Sequence, residues 1–277
     1  MRLFAVAIAI SIVSVPLLGG YAARDAWIAV AGHATGAGGR HFETTVYMTD
    51  TSRSMNDVTV SFFPAGEPAA TQRSMTLQLG PNQTGTIDIG PQLAGDRSAV
   101  GALHIRSSGL LLTQAHLYSH LENQPLSSEV GEVLNAIPTS FAIGAGDSTL
   151  LHVPAGAHYK LYAVETNGFP LYFSVASGGT ERRLLIRTHE QRSWDLAAIL
   201  PGAQVSTLNI TGINGSGKII VLGTAIAEQS QDFTAYEMLL PTRARHRMTW
   251  PEMTVYTAVA LAIALAAIYR LKKPAQA

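Results

Sequence analysis

Apolar and polar side chains alternate with a period of two along the middle of this chain, and that alternation is the strongest constraint on its fold. Segment 42–48 shows the pattern, and segment 58–62 repeats it before Pro64-Ala65-Gly66 ends the run. Period two places successive side chains on opposite faces of a strand, whereas a helix would need a period of 3.6. Short strands separated by Gly, Pro, Asn and Asp are typical of sandwiches and barrels. The sequence therefore predicts an all-β fold.

The two halves of this region resemble each other in order. Leu77–Leu79, a seven-residue loop and Ile87–Ile89 have a counterpart in Leu184–Ile186, an equal loop and Trp194–Leu196. The remaining matches keep the same order: His41–Phe42 with His158–Tyr159, Val58–Phe62 with Leu171–Val175, Leu103–Arg106 with Leu208–Thr211, and Leu110–Leu112 with Ile219–Val221. Chance alignment of alternating patterns is the alternative to duplication.

Each half would hold about seven strands in about 100 residues, which is the size of an immunoglobulin-like sandwich. We therefore predict two tandem immunoglobulin-like β-sandwich units, over residues 24–126 and 146–242. Residues 127–145 would form the linker between them, and a turn or two of helix is possible within 126–138.

Apolar segments stand at both ends of the chain. Met1-Arg2, the apolar run 3–18 and the small residues after it predict a secretory signal peptide, 1–22, cleaved after Ala22. An uncleaved anchor is the alternative. Near the other end, Met253–Tyr269 has no charge and approaches the length that a spanning helix needs. It predicts a single transmembrane helix over 250–269.

The charges around this second segment bear on its orientation. Arg270, Lys272 and Lys273 follow the predicted span, but Arg243, Arg245 and Arg247 precede it, so the positive-inside count is nearly balanced. The signal peptide decides for an ectodomain outside and a cytoplasmic tail, 270–277. Pro251-Glu252, the span and the basic tail also resemble bacterial sorting signals of the Pro-Glu-Pro type, with Met253 in place of the second Pro. That resemblance implies removal of the span by a dedicated protease.

The stretch Gly36–Asp50, followed by Val58–Gly66, resembles uncharacterised exported tandem β-sandwich proteins of bacteria. Those proteins share a Gly-rich lead, a Trp-Arg-Thr-Asp-like strand, an Asn at the turn and a Phe-x-Pro-x-Gly close. Here the strand reads Phe-Glu-Thr-Thr, and Asp50 replaces the Asn. The resemblance spans most of residues 27–240. It implies an extracytoplasmic sandwich with a membrane anchor, and no activity.

Composition and motifs argue against several kinds of chemistry. The chain has no cysteine, which excludes disulfides and thiolate sites, and its net charge of zero provides no basic field for nucleic acid. Gly212–Ile219 nearly spells a phosphate-binding loop, but Ile219 occupies the place of the Mg²⁺-binding Ser or Thr. A β-branched segment follows it where a helix is required, so the motif favours a hairpin turn.

The histidines do not predict a metal site. His116 and His120 are four residues apart, but segment 110–118 reads as a strand, so we interpret them as surface or half-buried residues. His33 and His41 flank a glycine-rich loop that offers no third ligand. No Gly-x-Ser-x-Gly elbow occurs. The sequence therefore predicts no enzyme, no catalytic, cofactor-binding or metal residue, no cofactor and no nucleotide.

The expected function is a non-enzymatic interaction or scaffolding protein of the cell envelope, anchored by one membrane span. Its partner would be a protein or an envelope polysaccharide. Binding in sandwiches usually involves end loops, so 33–40, 107–109 and 212–217 are the candidate loops.

A carbohydrate-binding or carbohydrate-active protein is the alternative, with an aromatic platform drawn from Trp27, Tyr47, Tyr172 and Trp194. Strand alternation places most of these rings equally well in the core. A third possibility is subunit pairing through an exposed sheet edge.

Overall fold

The structure is a computed structural model, and it describes residues 20–35, 40–67, 71–95, 98–121, 130–202, 205–227 and 233–243. All of these belong to one compact unit. The apolar run 3–18 and the predicted span 250–269 lie outside the described residues. Within the described ranges, no helix is long and apolar enough to cross a bilayer.

The described chain is built from strands, as the alternation predicts. The first half contains β1 (Ala22–Thr35), β2 (Arg40–Asp50), β3 (Asn56–Pro64), β4 (Arg73–Leu79), β5 (Thr84–Asp88), β6 (Ala99–Leu121), β7 (Val130–Asn135) and β8 (Ile137–Pro138). The second half contains β9 (Ser148–His152), β10 (Ala157–Glu165), β11 (Leu171–Ser177), β12 (Thr180–Ile186), β13 (Gln191–Asp195), β14 (Thr207–Gly215), β15 (Ile219–Ala227) and β16 (Phe233–Glu237). Helical structure is confined to a π-helical turn (Gly90–Ala94), a 3-10 turn (Thr139–Phe141) and α1 (Leu196–Ile199) among the described residues.

Strand β6 organises the first half because it serves two layers. It is 23 residues long. Its residues 99–107 pair with β1 and β3, whereas residues 111–121 pair with β2 and residues 114–119 with β7. The first half therefore forms the layers β4-β3-β6-β1 and β5-β2-β6-β7, with β8 added to β1.

The second half repeats this pairing order with two separate strands in place of β6. Its sheets are β12-β11-β14-β9 and β13-β10-β15-β16, so β14 and β15 correspond to the two parts of β6. Phe173 of one sheet meets Trp194 of the other edge-on, with ring centroids 5.7 Å apart. The arrangement is an all-β, sandwich-like fold.

The pairing differs from that of an immunoglobulin constant-type sandwich, in which strands A-B-E-D face strands C-F-G. There the last strand lies beside strand F. Here β15 pairs with β10, in the layer opposite β14.

The strand matches expected from the sequence fall on equivalent strands, but three of them are out of register. The match of Val58 with Leu171 slides by two residues, since Val58 pairs with Leu77 whereas Phe173 pairs with Leu184. The match of Leu110 with Ile219 slides by one, since Asp50 pairs with Leu111 and Glu165 with Ile219.

The match of His41 with His158 also slides by two. Asp88 pairs with Thr45, and its counterpart Asp195 pairs with Lys160. These registers make Glu43, rather than His41, the equivalent of His158. A slide of two residues keeps each side chain on its face, so the alternation could not reveal it.

Strand β1 lies between the two halves, which cover its two faces. It is buried without interruption from Ala26 to Gly32. The Gln191 side chain of the second half donates from Nε2 to the Ala29 carbonyl at 3.3 Å. Phe63 of the first half and His189 of the second approach with ring centroids 5.8 Å apart. The halves thus share one continuous apolar core.

Residues 130–138 of the predicted linker form strands, so the helical turns expected there are wrong for the described part. β7 pairs with the outer edge of β6, and β8 pairs with β1. β7 forms a strand because the edge of β6 is available to pair with it. Strand formation depends on pairing partners more than on local propensity. Residues 122–129 lie outside the described residues.

Candidate functional site

The candidate loop 107–109 is not a loop. It lies inside β6, at the point where this strand passes from one layer to the other. The Asn56 side chain holds the crossing: its Oδ1 accepts from Gly109 N at 2.8 Å and from Ser108 Oγ at 3.1 Å. The buried Asp50 carboxylate in turn accepts from Asn56 Nδ2 at 3.0 Å. These groups stabilise the crossing.

The candidate loop 212–217 contains the end of β14 and leads into β15, beside a buried carboxylate. Glu165 is fully buried, and its carboxylate accepts backbone N–H groups from Asn167 (2.8 Å), Gly168 (2.9 Å), His189 (2.8 Å) and Lys218 (3.4 Å). The strand β15 follows the turn, so a phosphate-binding loop is absent here. The expected hairpin is wrong, because β14 and β15 lie in different sheets.

The candidate loop 33–40 is described only at its ends. His33 and Thr35 close β1, residues 36–39 lie outside the described residues, and Arg40 begins β2. His33 Nδ1 lies 3.8 Å from Glu43 Oε1. Thr35 Oγ1 lies 3.4 Å from His41 Nδ1.

Two histidines from different sequence pairs, His41 and His120, lie beside each other on the outer face of β2 and β6. His41 stands directly opposite His120, and their rings are stacked with centroids 5.6 Å apart. Tyr118 donates to Glu43 Oε2 at 2.8 Å. Burial and this hydrogen bond raise the pKa of Tyr118 to about 12. No group of three or more His, Asp or Glu in the described residues is arranged to hold a metal ion.

The four candidate aromatic residues do not form a platform. Trp27 is completely buried and stacks on His104 with centroids 4.1 Å apart. Trp194 is half-buried against Phe173. Tyr47 and Tyr172 are 43% and 49% exposed, but they lie in sheets of different halves.

A Thr–Asp–His cluster lies where the halves meet, but its order does not suit catalysis. His104 Nε2 lies 2.9 Å from Asp25 Oδ1, and the Thr139 hydroxyl donates to the same oxygen. In a hydrolase triad the hydroxyl bonds the histidine, which can then take its proton. Burial lowers the pKa of His104, and the Asp25 contact only partly offsets this effect. The cluster is therefore a partly buried polar contact.

An apolar groove of about 600 Å³ lies between β7, β9 and β16. Three of its apolar side chains are strongly exposed: Val133 (53%), Leu150 (41%) and Leu239 (59%). Its lining is Glu132, Val133, Leu134, Leu150, Leu151, His152, Thr207, Ala235, Tyr236, Glu237 and Leu239. Clustered exposed apolar side chains mark interaction sites more often than they mark ordinary surface.

Two carboxylates give this groove a negative character. Burial raises the pKa of Glu132, and the neighbouring charge of Glu237 raises it further. Burial also raises the pKa of Glu237, although the Asn135 N–H donates to its Oε1 at 2.7 Å and opposes the shift. Among the described residues that line the groove, there is no lysine or arginine. The groove thus combines an apolar surface with unneutralised acidic groups.

The groove is not predictable from the sequence, because one of its walls is β7, which lies in the predicted linker. Its walls come from segments more than 80 residues apart in the chain, such as 132–134 and 235–237. Only the exposed apolar residues Val133 and Leu239 hinted at it, and isolated apolar residues carry little information.

Both ends of the described chain are tied to the same 3-10 turn. The Tyr21 ring packs edge-on against Phe141 with centroids 4.9 Å apart. At the other end, the Arg243 guanidinium donates to Ala142 O at 2.8 Å, to Ser140 O and to Asp147 Oδ2 at 2.8 Å.

No known protein family matches the sequence, and no curated protein matches it significantly. A matching solved structure is described as an "anti-sigma factor domain-containing protein". It is 9% identical with a TM-score of 0.14, and the match covers 72% of this chain and 82% of that chain. A likeness at that TM-score carries no argument about function.

Proposed function

We propose that the protein is a non-enzymatic, extracytoplasmic interaction or scaffolding protein of the cell envelope, built from two tandem sandwich units and anchored by the helix 250–269. The apolar, acidic groove between β7, β9 and β16 is the observation that carries the interaction role. It lies where the two halves adjoin, and binding sites favour such junctions. A protein segment with apolar and basic side chains would complement it.

The positions of the two ends of the described chain support the proposed attachment to the membrane. Only Gly19 separates Gly20 from the apolar run 3–18, and the six residues 244–249 separate Arg243 from the predicted span. Since Tyr21 and Arg243 contact the same turn, both apolar segments are attached at one end of the folded body.

The contacts of Tyr21 and Ala22 bear on the predicted cleavage position. Cleavage after Ala22 would remove Tyr21 from Phe141 and take the first residue from β1, where Ala22 pairs with Leu112. These two contacts therefore count against cleavage at this particular bond.

Topology and processing can be tested together on intact cells. An epitope tag in the turn at Gly179, which is exposed between β11 and β12, would be digested by added protease if the body lies on the surface. Digestion only after the outer envelope is opened would place it in the periplasm. The intact mass of the mature protein reports whether the segments 1–22 and 250–277 remain. Protection until the inner membrane is lysed would refute an extracytoplasmic body.

The groove can be tested with a photo-reactive amino acid in place of Val133 in the full chain, expressed in its native membrane. We expect a discrete protein adduct from this position. Phe42 is the matched control, because it is also apolar and exposed (36%) but lies on β2, away from the groove. Adding Glu132→Lys should weaken the adduct if the partner is basic. Equal labelling at both positions would contradict a specific role for the groove.

A carbohydrate-binding protein is the rival proposal. The dispersed positions of Trp27, Tyr47, Tyr172 and Trp194 give it no common aromatic surface. Retention of the full chain on envelope polysaccharide, with loss in the Tyr47→Ala or Tyr172→Ala variant, would restore this proposal.

A further inference from the structure

We propose that the end of the body around Phe141 and Leu240 rests on the lipid surface, so that the protein is held in a fixed pose and does not swing on a loose tether. This inference rests on the membrane anchor of the proposed function. It concerns a surface distinct from the groove, on the other side of Glu237.

The surface is apolar at the place where the chain leaves the body. Leu240 is 64% exposed, and together with Phe141 it lines an open hollow of about 920 Å³. Tyr21 lines the same hollow and is 43% exposed, so it belongs to this surface when the N-terminal segment is retained. Aromatic and leucine side chains of this kind favour the interfacial layer of a bilayer.

The length of the tether keeps this end close to the membrane. Thr242 exchanges two backbone hydrogen bonds with Ser148, of 2.7 and 2.9 Å, and Arg243 is held by three acceptors. The body therefore stays anchored up to Arg243, and only the six residues 244–249 separate it from the predicted span. Six residues reach about 20 Å even when fully extended.

The hollow is lined by two acidic groups and one guanidinium. Its two acidic groups are engaged within the protein: Asp25 with His104 and Thr139, and Glu237 with the Asn135 N–H. Arg24 lies exposed beside them. An exposed guanidinium adds attraction to phosphate headgroups.

The absence of cysteine allows a direct test. The full chain with Leu240→Cys would carry an environment-sensitive fluorophore in phosphatidylcholine vesicles, with or without lipids that bear a quencher at the level of the headgroup. Phe42→Cys is the matched control. Phe42 pairs with Ser119, which lies seven residues along β6 from Leu112, the partner of Ala22, or about 23 Å at the rise of a strand.

We expect at least a twofold loss of fluorescence at position 240 on adding the quencher lipid, and little change at position 42. Equal, weak quenching at both positions in a chain that stays with the vesicles would overturn the lipid contact and leave the anchor intact. A chain that does not associate with vesicles would overturn the anchor and this inference with it. A further variant, Leu240→Glu, should reduce quenching of the fluorophore when it is placed at Leu239→Cys.

Discussion

At the scale of single residues, two buried carboxylates hold equivalent places in the two halves. Asp50 ends β2 and Glu165 ends β10, and both are fully buried. Each accepts several hydrogen bonds from the loop that follows its strand. A buried carboxylate is tolerated only when such donors compensate for its lost hydration.

Replacing Glu165 with Ala should lower the free energy of unfolding by about 3 kcal/mol, because its backbone donors would be left without an acceptor. Urea unfolding of the full chain in detergent, followed by far-UV circular dichroism, measures this. Glu165→Gln should fall in between, since one amide oxygen can still accept. Glu181→Ala, at an exposed position on β12, is the control and should change little. An effect no larger than that of the control would refute the proposed role.

Asp50 predicts a pH dependence. Burial acts to raise the pKa of Asp50, but hydrogen bonds from Asn56 and Ser52 outweigh it and hold the pKa below its usual value. A depressed pKa stabilises the fold above the pKa of the unfolded state, and this contribution is lost as the pH falls through the folded value. The stability advantage of the wild type over Asp50→Asn should therefore shrink below about pH 4. Denaturant titrations at a series of pH values test this, and a constant difference would contradict it.

At the scale of secondary-structure elements, the strands were predictable and their partners were not. Alternation in 42–48 correctly indicates β2, with Val46 and Met48 completely buried. β7 escapes prediction because Gly131, Glu132 and Asn135 interrupt any apolar pattern. Its strand conformation depends on the edge of β6, which is brought near by the fold. The groove depends on β7 and was therefore beyond sequence reasoning.

The continuous apolar run 26–32 indicates a strand that is covered on both faces, which the search for alternating residues does not reveal. A strand covered on one face alternates, whereas a strand buried on both faces does not. In β1 the second face is covered by the other half of the molecule. The run thus signals the contact between the two halves.

The close approach of β14 to Gly144 predicts that Gly212 cannot be replaced by a residue with a side chain. An added Cβ would overlap the carbonyl oxygen of Gly144, with which β14 makes close contact. Gly212→Ala should destabilise the protein by about 2 kcal/mol, the usual cost of overpacking. Gly144→Ala is the matched control, because its Cβ would meet nothing closer than 3.7 Å. Thermal unfolding of both variants should separate them, and similar melting temperatures would refute the overlap.

At the scale of the whole molecule, the two halves share one core and should unfold together. Trp27 reports on the first half and Trp194 on the second. Single-tryptophan chains, each with the other two tryptophans replaced by Phe, should give superimposable urea transitions. Glu165→Ala, in the second half, should shift the Trp27 transition as much as the Trp194 transition. Two separated transitions would instead mean that the halves are independent folding units.

The central position of β6 has a consequence for the order of events during folding. β1 begins at Ala22 and pairs with Leu112, and β2 and β3 also wait for partners in β6. Contacts so distant along the chain close slowly, typically in milliseconds to seconds. If the chain crosses a membrane from its N-terminus, its first half lacks the strand that connects β1, β2 and β3 until residue 121 has emerged. Because β6 emerges after the strands that pair with it, the first half would complete its fold late, which keeps the chain competent for translocation.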